Sequence, residues 1–304
     1  MSHEHPSRVV IVGSANMDVV FTVDRMPAPG ETLLADTANR HPGGKGLNQA
    51  VASARSGVST SFLGALGTDQ FGDALAAAMD SAGVGRELVR RTDMDTGQAF
   101  ILVDQTAENL IVVASGANAT MTGLVGQEQE AIAGARVLLM QLELPLRIVH
   151  EAAAAARAAG SAVMLNAAPA TPLSAELLGL VDYLIVNEHE ACLIGGSDDL
   201  AEASGALSTR VHRLIVTLGA QGSEVYLAGE LVGRIAPPQV TAVDTTGAGD
   251  TFCGAFAAAV ADGLDLMDAV RFATAASALS VETVGAVSSI PSRSRIESKL
   301  EERW

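Results

Sequence analysis

The run Arg8-Val9-Val10-Ile11-Val12-Gly13-Ser14-Ala15-Asn16-Met17-Asp18 passes abruptly from apolar residues to a polar cluster. Its apolar part is nearly continuous rather than alternating, as a strand covered on both faces of a parallel sheet requires. The same pattern returns at Ser61–Leu66, Val137–Leu142, Ala162–Leu165, Tyr183–Val186 and Leu214–Leu218. Between these runs lie helical segments with matching ends. Asp69–Ala82 is followed by Gly83 and Leu146–Ala159 by Gly160, each glycine suiting the left-handed residue that closes a helix. Strand and helix in alternation predict a doubly wound, mostly parallel α/β sheet flanked by helices.

Two stretches leave that pattern. Asp18–Ala38 and Thr96–Ala114 carry the strand-like segments Val19–Val23, Ala99–Val103 and Leu110–Val113 without intervening helices, the second stretch turning through Asp104–Asn109. Either they are unrelated surface hairpins, or they join as one small sheet. We read them as a lid formed by about residues 17–42 and 95–114 on a single α/β domain covering 1–304. Near the C-terminus, Asp250 is expected to cap a helix running to Ala261 and stopping at Gly263. Asp265 is expected to cap the next, which continues to about Val281. Both are apolar around most of their circumference and predicted to be buried.

Composition narrows the function. The 304 residues carry 19 Lys+Arg against 35 Asp+Glu, a formal net charge of −16, and Lys45 and Lys299 are the only lysines. Such a chain is repelled by a phosphate backbone or an anionic membrane, so neither nucleic acid nor membrane is an expected partner. At 48% hydrophobic residues the chain has material for a large core. Cys192 and Cys253 make neither a disulfide framework nor a zinc site. The polar segment Met1–Arg8 lacks a signal-peptide pattern, and no apolar stretch approaches the ~20 residues that span a bilayer, so the chain reads as soluble and cytoplasmic. Missing too are the GxxxxGK[ST] phosphate loop, the GxGxxG dinucleotide fingerprint, HExxH and the GxSxG elbow.

The polar and glycine-rich clusters all follow strands. In Asp244-Thr245-Thr246-Gly247-Ala248-Gly249-Asp250-Thr251, small residues open a helix whose free N–H groups suit an anion, and Asp250 stands where it can take a proton from a hydroxyl. The same residues also serve as an ordinary turn and cap. Pro42-Gly43-Gly44-Lys45-Gly46-Leu47-Asn48-Gln49-Ala50 opens another helix, either as a close backbone approach to a polar ligand or as a flexible loop. Asn16 and Asp18 suit bidentate contact with neighbouring hydroxyls, or an Asx turn. Glu143 closes a strand. Asn187 and Glu190 follow another, positioned to orient hydrated magnesium or to cap a helix. Thr217-Leu218-Gly219-Ala220-Gln221-Gly222 ends a further strand in a turn able to hold phosphates. All lie on one edge of the expected sheet.

Gly43–Ala50 resembles the N-terminal signature of the ribokinase-like carbohydrate-kinase family, and Asp244–Phe252 its C-terminal one. The resemblance runs from Val9 to Pro291 and includes Gly116-Ala117-Asn118, Met140-Gln141-Leu142-Glu143 and Leu165-Asn166-Ala167-Ala168-Pro169-Ala170. It implies ATP-dependent phosphorylation of a sugar's primary hydroxyl, with D-ribose the first expectation. The alternatives are fructose, deoxyribose, a ketodeoxy sugar acid or a nucleoside, or, from a different class, a non-catalytic sugar-binding module. By this resemblance Asp250 is the base and Gly247, Ala248 and Gly249 form the anion hole. Asn16, Asp18, Gly44, Lys45, Asn48 and Glu143 match sugar-contacting positions. Asn187, Thr217, Gly219, Gly222, Gly249 and Thr274 match nucleotide-contacting ones. Glu190 is linked to Mg2+ through water, and Asp244, Thr246, Ser280, Thr283, Gly285 and Ser289 correspond to the positions of an activating K+. A homodimer through the lid is implied as well. Leu47 stands where the family has a small residue, so its bulk is expected beside the sugar pocket, where it bears on which sugar fits.

Overall fold

The computed structural model describes residues 8–105 and 109–302. The N-terminal segment before Arg8 and the middle of the Asp104–Asn109 turn lie outside the described residues.

The strands are Val9–Val12 (β1), Asn16–Thr22 (β2), Thr37–Gly43 (β3), Thr60–Gly67 (β4), Val89–Thr92 (β5), Gly97–Val103 (β6), Asn109–Ala114 (β7), Val137–Met140 (β8), Ala162–Asn166 (β9), Tyr183–Asn187 (β10), Arg213–Thr217 (β11), Ser223–Leu227 (β12) and Glu230–Ile235 (β13). The helices are Lys45–Arg55 (α1), Gln70–Ala82 (α2), Gly126–Gly134 (α3), Leu146–Ala159 (α4), Ala175–Leu180 (α5), Glu188–Gly195 (α6), Leu200–Ser208 (α7), Ala248–Asp262 (α8), Leu266–Ser280 (α9), Ala286–Ser289 (α10) and Arg293–Glu301 (α11).

Nine strands form the main sheet in the order β13-β12-β11-β10-β9-β8-β1-β4-β5. It is parallel from β11 to β5, with β12 and β13 added antiparallel at one end. Adjacent residues of each inner strand enter opposite cores. Val9 and Ile11 pack with α1, α2, α8 and α9, whereas Val10 and Val12 pack with α3 to α7. Burial of both faces explains why these strands read as unbroken apolar runs. The strand order reverses around β1, whose neighbours are β8 and β4, so a ligand crevice is expected beyond their carboxyl ends.

A second sheet, in the order β3-β2-β6-β7, uses both of the stretches that break the α/β pattern. The chain enters it from β1 through Gly13-Ser14-Ala15. Strand β3 is absent from the sequence-based expectation because Thr37–Gly43 is polar and contains Pro42. As an edge strand it tolerates both, since Pro42 has no N–H to donate and the exposed face needs no apolar residues.

Gly83, Gly160 and Gly263 close α2, α4 and α8 with positive φ, and Asp265 caps α9 by accepting from the Asp268 N–H. The expected cap of α8 is corrected. Gly247, at φ 75°, is its N-cap, and Asp250 lies inside the first turn with its side chain buried. A carboxylate cannot cap its own helix while it is turned inward to other donors. Among the described residues no helix is long and apolar enough to cross a membrane.

Candidate active site

Helices α1 and α8 meet with little between them: a Cβ on Gly254 would lie 2.3 Å from the Gln49 carbonyl oxygen. That close approach brings the first turn of each helix together at the sheet's carboxyl edge. The Asp250 carboxylate, 9% exposed, accepts from Asn48 Nδ2 at 2.9 Å on Oδ2 and from Gln49 Nε2 at 2.9 Å on Oδ1. Among the described residues Asn48 Oδ1 is buried without a partner, so it retains an unused acceptor beside this carboxylate.

Around this corner the structure assembles the residues matched to sugar contacts. Asn16 opens β2, and its Oδ1 accepts from Asn118 Nδ2 at 2.8 Å; Asn118 also ties down the Ala15 backbone through both its N–H and its carbonyl. Gly44 is the N-cap of α1, packed against Ala15 and Asn16. Glu143 Oε2 accepts from Ser14 Oγ and, at 3.2 Å, from the Lys45 backbone N–H, which ties the ends of β1, β8 and α1 together. The Asp18 carboxylate lies directly against Gly43.

Gathering these carboxylates has an electrostatic consequence. Burial, reinforced by the negative charges of Glu143 and Asp250, pushes Asp18 up to about 7. Burial would lower Lys45, but the nearby Asp250, Glu143 and Glu190 more than offset it, so its pKa is raised and the ammonium stays charged. Glu190 is raised chiefly by burial.

On the other side of the α8 N-terminus lies a cavity of about 560 Å3. Of the residues matched to nucleotide contacts, Thr217, Gly219, Gly222, Gly249 and Thr274 line it together with Ala248. Asn187 is paired with Thr217 at the strand ends but does not line the cavity. Its side chain accepts from the Glu190 N–H at 2.8 Å while Glu190 Oε2 accepts from the Asn187 N–H at 2.9 Å. The two form a reciprocal capping box on α6. The cavity wall also includes Ala236, Pro237, Pro238 and Phe252, which bear no polar signal that a sequence reading could isolate.

The positions matched to a monovalent cation converge as well. Asp244 accepts from the Thr246 N–H at 2.9 Å and from the Gly285 N–H at 2.7 Å, joining the approach to α8 with the segment after α9. A Cβ on Gly247 would lie 2.9 Å from that of Ala286, so this segment abuts the α8 N-terminus. Thr283 closes a turn onto the Ser280 carbonyl, and buried Ser289 bonds to the Ala286 carbonyl. Burial alone would raise Asp244, but these hydrogen bonds outweigh it and hold its pKa below the usual value. Among the described residues, no group of three or more His, Cys, Asp or Glu side chains is arranged to hold a metal ion.

Leu47 departs from its expected position. It is completely buried and packs in the core beneath α1, while only its backbone N–H reaches the site loop, donating to the Ser14 carbonyl. The amides of Gln49, Gln141 and Asn166 are hydrogen-bonded in series beneath Asp250, a role that no sequence pattern assigns them. Their available signal was modest, since each immediately adjoins or lies within a segment already singled out.

The sequence pattern of the pfkB family carbohydrate kinases matches residues 6–293. A ribokinase of Schizosaccharomyces pombe is 39% identical over 301 residues, covering 93% of this chain and 95% of the relative. A ribokinase of Haemophilus influenzae is 40% identical over 294 residues, covering 94% and 95%. Arabidopsis thaliana ribokinase, solved in complex with ribose and ATP, superposes with a TM-score of 0.91 at 35% identity, covering 97% of this chain and 99% of that one. Matching signatures, fold and near-complete coverage lead to one conclusion: the chain belongs to the pfkB family of carbohydrate kinases.

Proposed function

We propose that the chain transfers the γ-phosphoryl group of ATP to the primary hydroxyl of D-ribose, giving ribose 5-phosphate and ADP, with Asp250 as the base. The observation that carries this reading is the position of Asp250, on the first turn of α8 between a cluster of hydroxyl-binding groups and a separate large cavity. Asn16, Asp18, Gly44, Lys45, Asn48 and Glu143 would hold the sugar. Asn187, Thr217, Gly219, Gly222, Gly249 and Thr274 would serve the nucleotide. The relatives named as ribokinases, and the Arabidopsis protein's complex with ribose and ATP, support both the sugar and the phosphoryl donor.

The hydroxyl proton passes to Asp250 as the oxygen–phosphorus bond forms and the β–γ bridge breaks, and ADP leaves with the bridging oxygen. The N–H groups of Gly247 and Gly249 face the growing negative charge at the positive end of the α8 dipole, beside that of Ala248, which also donates to the Thr245 carbonyl at 3.2 Å. Lys45 adds a positive charge beside Asp250 and Glu143. In the same reading the small sheet acts as a lid on the single α/β unit and excludes water as it closes.

Magnesium and potassium belong to this proposal. The hard oxygen ligands of Asn187 and Glu190 suit Mg2+ held through water, which would neutralise phosphate charge. Asp244, kept ionised by its two backbone donors, suits a monovalent cation supported by Thr246, Ser280, Thr283, Gly285 and Ser289. We also assign a homodimer through the lid: Leu110, Ile111, Val112 and Val113 of edge strand β7 are all exposed, an apolar row with open backbone edge groups. A cytoplasmic setting, where ATP is supplied, completes the reading.

ADP release measured with Mg2+ and K+ present tests it. D-ribose should be the preferred acceptor over 2-deoxyribose, fructose, a ketodeoxy sugar acid and a nucleoside. Preference for another acceptor replaces the sugar; ATP and sugar binding without ADP release leaves a binding module.

A further inference from the structure

We propose that Gln49 is a positioning residue for Asp250, with its amide held in one orientation from below by Gln141 and Asn166. The proposal rests on the reading of Asp250 as the base.

Every polar atom of the Gln49 side chain has a partner. Nε2 donates to Asp250 Oδ1 at 2.9 Å and to Asn166 Oδ1 at 3.0 Å, and Oε1 accepts from Gln141 Nε2 at 2.6 Å. A primary amide has two N–H bonds, so Gln49 is fully committed. It is completely buried, as is Gln141, and Asn166 is 8% exposed. Asn166 is anchored in turn by donating to the Ile185 carbonyl at 3.3 Å. The series spans α1, α8 and strands β8 to β10 under the site floor.

The orientation of this series is dictated by charge. A carboxylate accepts and does not donate, so Gln49 must turn its NH2 toward Asp250 and its oxygen toward Gln141. Gln141 must then present its own NH2, which leaves Gln141 Oε1 buried without a partner among the described residues. Reversing Gln141 would set oxygen against oxygen. An orphaned buried oxygen is a costly feature, and the surroundings accommodate it: a Cβ on Gly13 would lie 2.2 Å from that atom. Packing alone has no use for this arrangement, since an apolar side chain of similar volume would fill the space without stranding an acceptor.

The sequence neighbours divide the carboxylate between them. Asn48 holds Oδ2 and keeps a free Oδ1, whereas Gln49 holds Oδ1 from the interior and lines neither the sugar cluster nor the nucleotide cavity. Gln49 thus fixes the rotation of the carboxylate about its own axis, which sets the line along which it receives the hydroxyl proton.

Steady-state kinetics of Gln49→Met and Gln49→Glu, with Asp250→Asn alongside, tests this. Removing the donor should lower kcat by roughly 10- to 100-fold, the scale of a small misalignment at a reacting group, while KM for sugar and for ATP changes by less than about threefold. In Gln49→Glu the introduced carboxyl can donate to Asp250 only while protonated, so its kcat should fall with rising pH where that of the unsubstituted enzyme does not. Normal kcat in both variants, a raised KM with intact kcat, or a pH profile parallel to the unsubstituted enzyme overturns the proposal. Should Gln49→Met fail to fold by circular dichroism, Gln141→Met, which removes only the support, should show a smaller kcat loss at unchanged KM; no loss there overturns it equally. If Asp250→Asn keeps its rate, the base assignment itself fails. If that variant is inactive while both Gln49 variants turn over normally, only the positioning role fails.

Discussion

The two sides of Asp250 are built from different materials. Toward the end of β1 lie Asn16, Asp18, Lys45, Asn48 and Glu143, a crowd of charges and amides joined through Ser14 and Asn118. Across the α8 N-terminus, the 560 Å3 cavity is walled mainly by glycine, alanine, proline, valine and Phe252, with a few hydroxyls. Small hydroxylated ligands give up strong hydration on binding and need a directed partner for each group. A flat heterocycle needs area and exclusion of water, which apolar walls and bare backbone supply. Asp250 belongs to neither side fully, and substitutions on either side of it should separate.

Asp250→Asn should have the largest effect, since it touches the step both sides share. Turnover is expected to fall by about 10²–10⁴-fold, the range of a lost general base, with calorimetric sugar affinity still measurable. Near-normal turnover would remove the axis of the comparison.

Asp18→Asn should affect the polar side alone. Losing a charged acceptor is expected to lower kcat/KM for sugar by about 10- to 100-fold while KM for ATP holds. The same change should stabilise the protein. Asp18 titrates at about 7 in the folded protein against 3.8 ordinarily, because burial and its acidic neighbours disfavour the charge. The unfolded chain therefore ionises first as pH rises, and the fold loses stability between about pH 4 and 7. At pH 8 the variant should gain on the order of a few kcal/mol, visible as a raised Tm in sugar-free buffer. In the unsubstituted enzyme, apparent sugar affinity should rise with pH through about 7 as the carboxylate forms. A flat profile would mean that Asp18 binds as the neutral acid.

The apolar side should respond to volume rather than charge. Ala278 lines the cavity, and Ala278→Phe should raise KM for ATP about tenfold, on the scale of a few lost apolar contacts, without moving KM for sugar. An equal rise in both would show that the compartments are coupled.

The same contrast explains what was legible in the sequence. The parallel sheet was readable because burial on both faces leaves unbroken runs such as Val9–Val12, and α2 and α4 because Gly83 and Gly160 end them. The polar side was legible because Asn16, Asp18 and Lys45 are unusual at strand ends and in glycine loops. The wall formed by Ala236, Pro237 and Ala278 was not, since these residues are indistinguishable from ordinary loop and helix packing. Strand β3 was hidden by its polar edge, and the amides beneath Asp250 became visible only when tertiary contacts joined β8, β9 and α1. Asp250 stands out in the sequence both as a helix cap and as a proton acceptor; the inward turn of its side chain, which ends the capping role, depends on α1, two hundred residues earlier in the chain.

Leu47 gives the finest test, because sequence and structure assign its bulk to different places. Beside Lys45 and Asn48 in a binding loop, it reads as a wall of the sugar pocket. In the fold its side chain turns the other way, into the core shared with α8, and has no exposed surface. The helical period accounts for this: residues on one turn of α1 diverge by about 100° each, so Asn48 can face Asp250 while Leu47 faces the sheet. Leu47→Ala should therefore cost about 2–5 kcal/mol of stability through the cavity it leaves. The ratio of kcat/KM for ribose over 2-deoxyribose and fructose should stay within about twofold, well below the discrimination a lost pocket wall produces. A changed ratio at a temperature where the variant remains folded would return Leu47 to the pocket, and with it part of the sugar preference to the α1 loop.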